Sequence, residues 1–236
     1  MKKIIAIIII IICLCGVVYS SYKIISWKLS VNENNKIKEV LEEKIKLEKD
    51  DKYNIDFKSL KEENSDTVAY VKVNNTNIDY VVVKGTDNDY YLNHNFNKEY
   101  NIAGWIFSDY HNKFDEADKN IVIFGHNMRD GSMFGTLNKI LNEKWQTNED
   151  NKKVILVTEK NTYYYEVFSV YSIKPEDYYI KTEFKDNEFD EFVKTIKSRS
   201  VYDFKVDVSN NDKILTLSSC IGDGTKRVVL HAKLIK

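Results

Sequence analysis

Few residues in this chain of 236 are equipped for covalent chemistry. It has three cysteines, and Cys13 and Cys15 lie in an apolar N-terminal run, which leaves Cys220 as the one thiol of the body. An internal disulfide there is excluded, so the odd thiol needs another explanation. Cys220 ends the run Ile214-Leu215-Thr216-Leu217-Ser218-Ser219-Cys220. In a strand, Ile214, Thr216 and Ser218 share one face, and Leu215 and Leu217 the other. The following loop, Ile221-Gly222-Asp223-Gly224-Thr225-Lys226, contains two glycines that permit tight or left-handed backbone. Two readings stand for such a cysteine: a small buried hydrophobe, as free cysteines commonly are, or a nucleophile presented at a strand end.

Its neighbours sharpen the choice. Arg227 opens the next alternating run, with Arg227, Val229, His231 and Lys233 on one face and Val228, Leu230, Ala232 and Leu234 on the other. So short a loop makes the two strands antiparallel neighbours and brings a guanidinium close to the thiol. A fixed cation there favours thiolate over the ordinary thiol pKa of about 8.5 and can donate hydrogen bonds to a developing oxyanion. The competing role for Arg227 is a surface ion pair with Asp223. Of four histidines, His126 follows the apolar strand Ile121-Val122-Ile123-Phe124 in a segment with Gly125 and Gly131, another strand end open to a cleft. His94 and His111 lie in polar, loop-like surroundings, and His231, mid-strand on the Arg227 face, is the reserve candidate. No His-Glu-x-x-His, paired Cys-x-x-Cys, complete calcium loop or phosphate-cradling glycine loop occurs, so neither a metal nor another cofactor is expected.

These residues need a scaffold of strands. Beyond Asp56 the pattern has period two: Val68 to Val73, Ile78 to Val83, Ile121 to Phe124, Val154 to Thr158, Thr162 to Ser172, Ile214 to Ser218 and Arg227 to Ile235. Asn74-Asn75-Thr76-Asn77 and Glu159-Lys160-Asn161 are hairpin turns. Helical patterns fall at Asp87 to Asn93, Met133 to Leu141 and Asn187 to Lys197. Seven or so strands, few helices and a single proline point to a mainly β protein, an antiparallel barrel or sandwich with peripheral helices. With 43% hydrophobic and 13% aromatic residues the chain is not disordered. Its net charge of −1 includes no basic stripe, which argues against nucleic acid as a partner.

The N-terminus is a different material. From Ile4 to about Ile25 the chain is almost wholly apolar, long enough as a helix to cross a bilayer. Lys2 and Lys3 before it place the N-terminus in the cytoplasm and the body outside. A cleaved signal peptide ending near Val18-Tyr19-Ser20 is the alternative to a retained anchor. Asn34 to Asp51 carries Ile37, Val40, Leu41, Ile45 and Leu47 at helical spacing among lysines and glutamates, which reads as a solvated stalk helix. The expected division is a cytoplasmic tail at 1–3, a membrane anchor at 4–25, a helical stalk or extension at 26–55, and a catalytic domain at 56–236.

Taken together, the anchor, the segment from Asn120 to Phe134 (Asn-Ile-Val-Ile-Phe-Gly-His-Asn-Met-Arg-Asp-Gly-Ser-Met-Phe), Thr216-Leu217-Ser218-Ser219-Cys220 and Arg227 resemble a class B sortase of a Gram-positive bacterium. Tyr91-Leu92 and Gly104-Trp105-Ile106-Phe107 extend the likeness over nearly the whole chain. The cysteine motif of that family usually reads Thr-Leu-x-Thr-Cys, and Ser219 here replaces the second threonine while keeping a hydroxyl. The resemblance implies a closed β-barrel of about eight strands with an N-terminal helical extension and no metal. It implies transpeptidation of a surface protein at an Asn-Pro-x-Thr or Ser-Pro-x-Thr sorting signal. The acceptor is an amine of a peptidoglycan precursor or cross-bridge. It gives Cys220 the role of nucleophile, His126 that of acid and then base, and Arg227 that of holding the substrate carbonyl or oxyanion. Ser218 resembles a substrate-contacting position, and Tyr178, Tyr179 and Ile180 lie in the segment flanking the signal groove. A Cys/His peptide hydrolase and an anchored binding module with an inert Cys220 are the rival functions.

Overall fold

The computed structural model describes residues 2–47, 53–115, 117–185, 187–220 and 225–236, with Leu47 and Cys220 described in their backbone only. The chain opens with helix α1 (Lys2–Glu42), 41 residues long, whose first half is apolar and fully exposed and is long enough to cross a membrane. Two short strands follow, β1 (Ile45–Leu47) and β2 (Tyr53–Ile55), paired antiparallel, and then helix α2 (Phe57–Glu63). α2 is capped by Asp56, whose carboxylate accepts from the Ser59 amide. The barrel strands are β3 (Thr67–Val73), β4 (Asp79–Val83), β5 (Phe107–Ser108), β6 (Asn120–Gly125), β7 (Lys153–Thr158), β8 (Thr162–Ile173), β9 (Ile214–Cys220) and β10 (Arg227–Leu234). Helices α3 (Glu143–Gln146) and α4 (Glu188–Ser198) sit outside them.

The eight strands close in the order β10-β8-β7-β3-β4-β5-β6-β9. Closure leaves no sheet edge to protect. Two neighbouring pairs, β4–β5 and β6–β9, are parallel and the others antiparallel, so the expected all-antiparallel barrel is corrected to a mixed one. The parallel pairs arise where long excursions replace hairpins, between β4 and β5 and between β6 and β9. Val71, Val82, Ile123, Leu156, Val167, Leu215, Leu217, Val228 and Leu230, from seven of the strands, are fully buried in one core.

The stretch Asn34 to Asp51 is not one solvated helix. α1 stops at Glu42, the chain turns into β1, and residues 48–52 lie outside the described part. Val31, Asn34 and Leu41 are buried against the barrel, with Trp27 and Ile37 half-buried on the same core. Asn34 Nδ2 donates to the Gly104 carbonyl at 2.8 Å, and Asn101 Nδ2 donates to the Ser30 carbonyl at 3.0 Å. Of the stripe read as a solvated face, Leu41 is buried and Ile37 and Ile45 are half-buried on the core, while Val40 is exposed. The contact residues of α1 include a buried asparagine that no hydrophobic pattern would select.

Candidate active site

β9 and β10 pair so that Cys220 and Arg227 are Cα partners, the last residue of β9 opposite the first of β10. On the other side of β9, parallel β6 pairs Gly125 with Ser219. The next residues along these two strands are His126, just past the end of β6, and Cys220, the last residue of β9. Three neighbouring strand ends thus bring Arg227, Cys220 and His126 into one row at one rim of the barrel. The loop 221–224, with Asp223, lies outside the described residues.

The rim opens into a cleft of about 320 Å³. Its lining includes His126 and Arg227, Phe107 and Phe124 from β5 and β6, Ser218 from β9, and Tyr179 and Ile180. The Phe107 and Phe124 rings lie 5.3 Å apart, the side chains of directly paired residues. Asp89, Glu176 and Asp177 also border this opening.

His126 is held by backbone on both sides. Its Nε2 donates to the Leu92 carbonyl at 2.7 Å, and its own carbonyl accepts from the Phe134 amide at 2.9 Å. A carbonyl can only accept, so Nε2 carries a proton and Nδ1 is the bare nitrogen of the neutral ring. The residue before it is packed as a glycine: a Cβ on Gly125 would lie 2.5 Å from Ile106 Cδ1 and 2.7 Å from Phe134 Cγ, so a side chain there would force these neighbours to move. Met133, at φ 51°, turns the chain back, and its amide donates to Tyr80 Oη at 2.8 Å. The segment from Gly125 to Phe134 is therefore a loop closed on its own base, which limits the freedom of the imidazole.

Leu92 is fixed in turn by its neighbour. The Tyr91 hydroxyl donates to Asp66 Oδ2 at 2.7 Å, and the Tyr91 carbonyl accepts from the Trp105 amide at 3.0 Å. Burial and the nearby Asp66 carboxylate push the Tyr91 phenol well above its ordinary pKa, which keeps it a donor. Gly104 follows this contact at φ +57°, and a Cβ there would lie 2.4 Å from the Tyr91 carbonyl oxygen. Sequence reasoning missed the Leu92 carbonyl as a partner of His126, since any residue type can supply one.

The wall opposite β6 is the single 3-10 turn Tyr178–Ile180. Tyr179 is buried, and its hydroxyl meets Ser218 Oγ at 3.0 Å. Ile180 is half-buried in the cleft wall, while Tyr178 points away, with Arg199 4.3 Å over its ring. Ser218, Tyr179 and Ile180 thus reach the cleft, and Tyr178 supports the turn from behind.

The reserve histidine is elsewhere. His231 is wholly buried, its Nε2 meets Tyr171 Oη at 2.9 Å and its Nδ1 meets Thr216 Oγ1 at 2.8 Å. Desolvation pushes its pKa down to about 3, so it is neutral and shut off from substrate. His94 stacks on Tyr90 at 4.0 Å, and His111 pairs with Asp109 at 2.8 Å at the surface.

A family model described as the Sortase domain matches residues 71–235. The sortase B of Listeria monocytogenes is 34% identical over 186 residues, covering 76% of this chain and 74% of that protein. Among solved structures, Clostridium perfringens sortase B superposes with a TM-score of 0.72 at 41% identity, over 76% of this chain and 100% of that one. A Staphylococcus aureus sortase B–substrate complex gives a TM-score of 0.71 at 34% identity, over 76% of this chain and 84% of that one.

Proposed function

This chain belongs to the sortase family of transpeptidases, in class B, and from that premise we propose that it cleaves an Asn-Pro-x-Thr or Ser-Pro-x-Thr sorting signal after the threonine and joins the surface protein to a cell-wall amine. The observation that carries the reading is the row of strand ends in which Cys220 has Arg227 as its Cα partner and His126 at the same level on the other side.

In this reading Cys220 and His126 react as a thiolate–imidazolium pair, with the thiol proton on His126 Nδ1, and the thiolate attacks the threonine carbonyl carbon to form a C–S bond. The Arg227 guanidinium meets the oxyanion with hydrogen bonds that are strongest when the charge is greatest. The peptide C–N bond then breaks as His126 gives a proton to the leaving amine. An incoming wall amine attacks the thioester, His126 takes its proton, and the C–S bond breaks to return the thiolate. With Nε2–H engaged by the Leu92 carbonyl, Nδ1 is the nitrogen that gives and takes the proton. Ser218, Tyr179 and Ile180, which line the cleft, contact the signal, and Tyr178, under Arg199, backs the wall they form.

The same reading assigns α1 as a single-pass anchor through residues 4–25, with 1–3 in the cytoplasm and the extension at 26–55 leading to a catalytic domain at 56–236 on the extracellular side. Lys2 and Lys3, the apolar exposed surface of α1 and the positive-inside rule support it. The test is to incubate the full chain in detergent with a peptide containing Asn-Pro-x-Thr or Ser-Pro-x-Thr, with and without triglycine. The expected product joins triglycine to the threonine carboxyl and grows at the expense of hydrolysis as triglycine is raised. Cleavage that triglycine never redirects would mark a hydrolase, and no cleavage with any such peptide a binding module.

A further inference from the structure

A chain of buried hydrogen bonds runs from the wall of the cleft into the layer beneath α4. Asn120, the first residue of β6, donates from Nδ2 to the Lys181 carbonyl at 2.9 Å, directly after the turn Tyr178–Ile180. Its Oδ1 accepts from Thr216 Oγ1 at 2.7 Å. Thr216 Oγ1 and His231 Nδ1 are 2.8 Å apart, and His231 Nε2 and Tyr171 Oη 2.9 Å apart. Asn120, Thr216 and His231 are each buried to 1% exposure or less.

The carbonyl at one end sets every proton. Because Lys181 O only accepts, the amide nitrogen of Asn120 faces it and the amide oxygen faces Thr216. Thr216 has one proton and gives it to that oxygen, so its own oxygen accepts from His231 Nδ1–H. Nε2 is then bare and accepts from the Tyr171 hydroxyl. With the imidazole neutral, each of the four bonds then has one donor and one acceptor.

The chain lies on the same barrel face as the cleft. Thr216 and Ser218 are two apart on β9, so they share a face, and Ser218 carries the contact to Tyr179. On β10, Arg227, Val229 and His231 share the corresponding face. Phe192 of α4 covers His231, with ring centroids 6.3 Å apart. The turn Tyr178–Ile180 is thus tied to the strand of Cys220 through Ser218, and its exit at Lys181 to Thr216 through Asn120.

We propose that Asn120, Thr216 and His231 are positioning residues for the sorting signal: they fix the wall segment 178–181 at a set height over β9 and so set the width of the cleft that receives the peptide. The inference rests on the transpeptidase reading above. None of the three touches the reacting atoms, so their removal raises KM for the signal peptide while leaving the intrinsic reactivity of Cys220 in place.

The test compares Thr216→Val, which keeps shape and removes the hydroxyl, with Thr216→Ser, which restores it, and with Asn120→Asp, which puts an acceptor against the Lys181 carbonyl. Ser169→Ala is the control, because Ser169 also makes a buried bond on this side, Oγ to the Ile196 carbonyl at 2.7 Å, but has no link to the wall. Thr216→Val and Asn120→Asp should raise KM for the signal peptide roughly five- to tenfold, the scale of one unsatisfied buried group. The rate of Cys220 alkylation by iodoacetamide should stay within about twofold of the parent, Thr216→Ser should recover most of the affinity, and Ser169→Ala should leave KM alone. KM unchanged in folded Thr216→Val and Asn120→Asp, or raised as much by Ser169→Ala, would overturn the proposal. Should Thr216→Val not fold, Tyr171→Phe, which removes the partner of Nε2 together with the contact of that hydroxyl to Tyr178 in the wall turn, is read in the same way. A parent enzyme that never turns over the peptide overturns the transpeptidase reading instead, a separate and earlier failure.

Discussion

Arg227 and Cys220 sit opposite each other as Cα partners across the antiparallel pair β9–β10, at the end of one strand and the start of the next. A barrel holds such a rung more rigidly than a loop would, because each strand is hydrogen-bonded on both sides. β9 is flanked by β6 and β10, and β10 by β8 and β9. Arg227 is therefore set at the level of Cys220 by backbone pairing, and His126 by the parallel pairing of Gly125 with Ser219.

Arg227→Lys tests the first of these. Lysine keeps the charge but loses the planar fork that can donate two hydrogen bonds at once. Turnover is expected to fall on the order of 10²-fold or more, the scale of a lost oxyanion donor, with thermal unfolding unchanged. Near-normal turnover would remove Arg227 from the mechanism.

Gly125→Ala tests the seat of the imidazole. The new methyl has to displace Ile106 or Phe134, both wholly buried, and overpacking of this kind costs about 1–3 kcal/mol. Because Phe134 also anchors the His126 carbonyl, kcat should fall more than KM rises. Urea unfolding and steady-state kinetics on one preparation check both, and unaltered stability and kcat would show that the loop has slack.

His231 makes stability depend on pH. Its folded pKa of about 3 lies below its ordinary value of 6.5, so between these limits the unfolded chain binds the proton and the folded one does not. Stability is then full above pH 6.5 and is lost as pH falls, with a slope approaching 1.4 kcal/mol per pH unit from about pH 5.5 downward. Urea unfolding between pH 4.5 and 7.5 should show this slope in the parent and a flatter one in His231→Gln. Equal slopes would mean that His231 is protonated at little cost in the folded state.

Most of the barrel was legible because its strands alternate: the expected bounds of β3, β7 and β8 agree with the structure to within a residue at each end. β5 is only two residues long, too short for any period to register. The sense of β6 against β9 was equally hidden, since an apolar run carries no record of its neighbour's direction. Residues 43–47 continue a helical pattern with no glycine or proline to stop it, and the pairing of β1 with β2 overrides that pattern. At the site, Cys220, Arg227 and His126 are recognisable as reactive types at strand ends. His231 differs in that its partners lie 15 and 60 residues away, and Thr216 reaches Asn120 across 96. Folding alone brings them together, so a mid-strand histidine on the Arg227 face reads as a reserve base until its burial is seen.

The central claim is that Cys220 becomes acylated by the signal. Intact-mass measurement after mixing the full chain with an Asn-Pro-x-Thr or Ser-Pro-x-Thr peptide, quenched with acid before any amine is added, reads this directly. The account predicts a gain equal to the fragment ending in threonine less one water, mapped by digestion to Cys220, reversed by triglycine and absent in a folded Cys220→Ala variant. Amine-dependent product formed with no such adduct, or an adduct mapped to another residue, would contradict it.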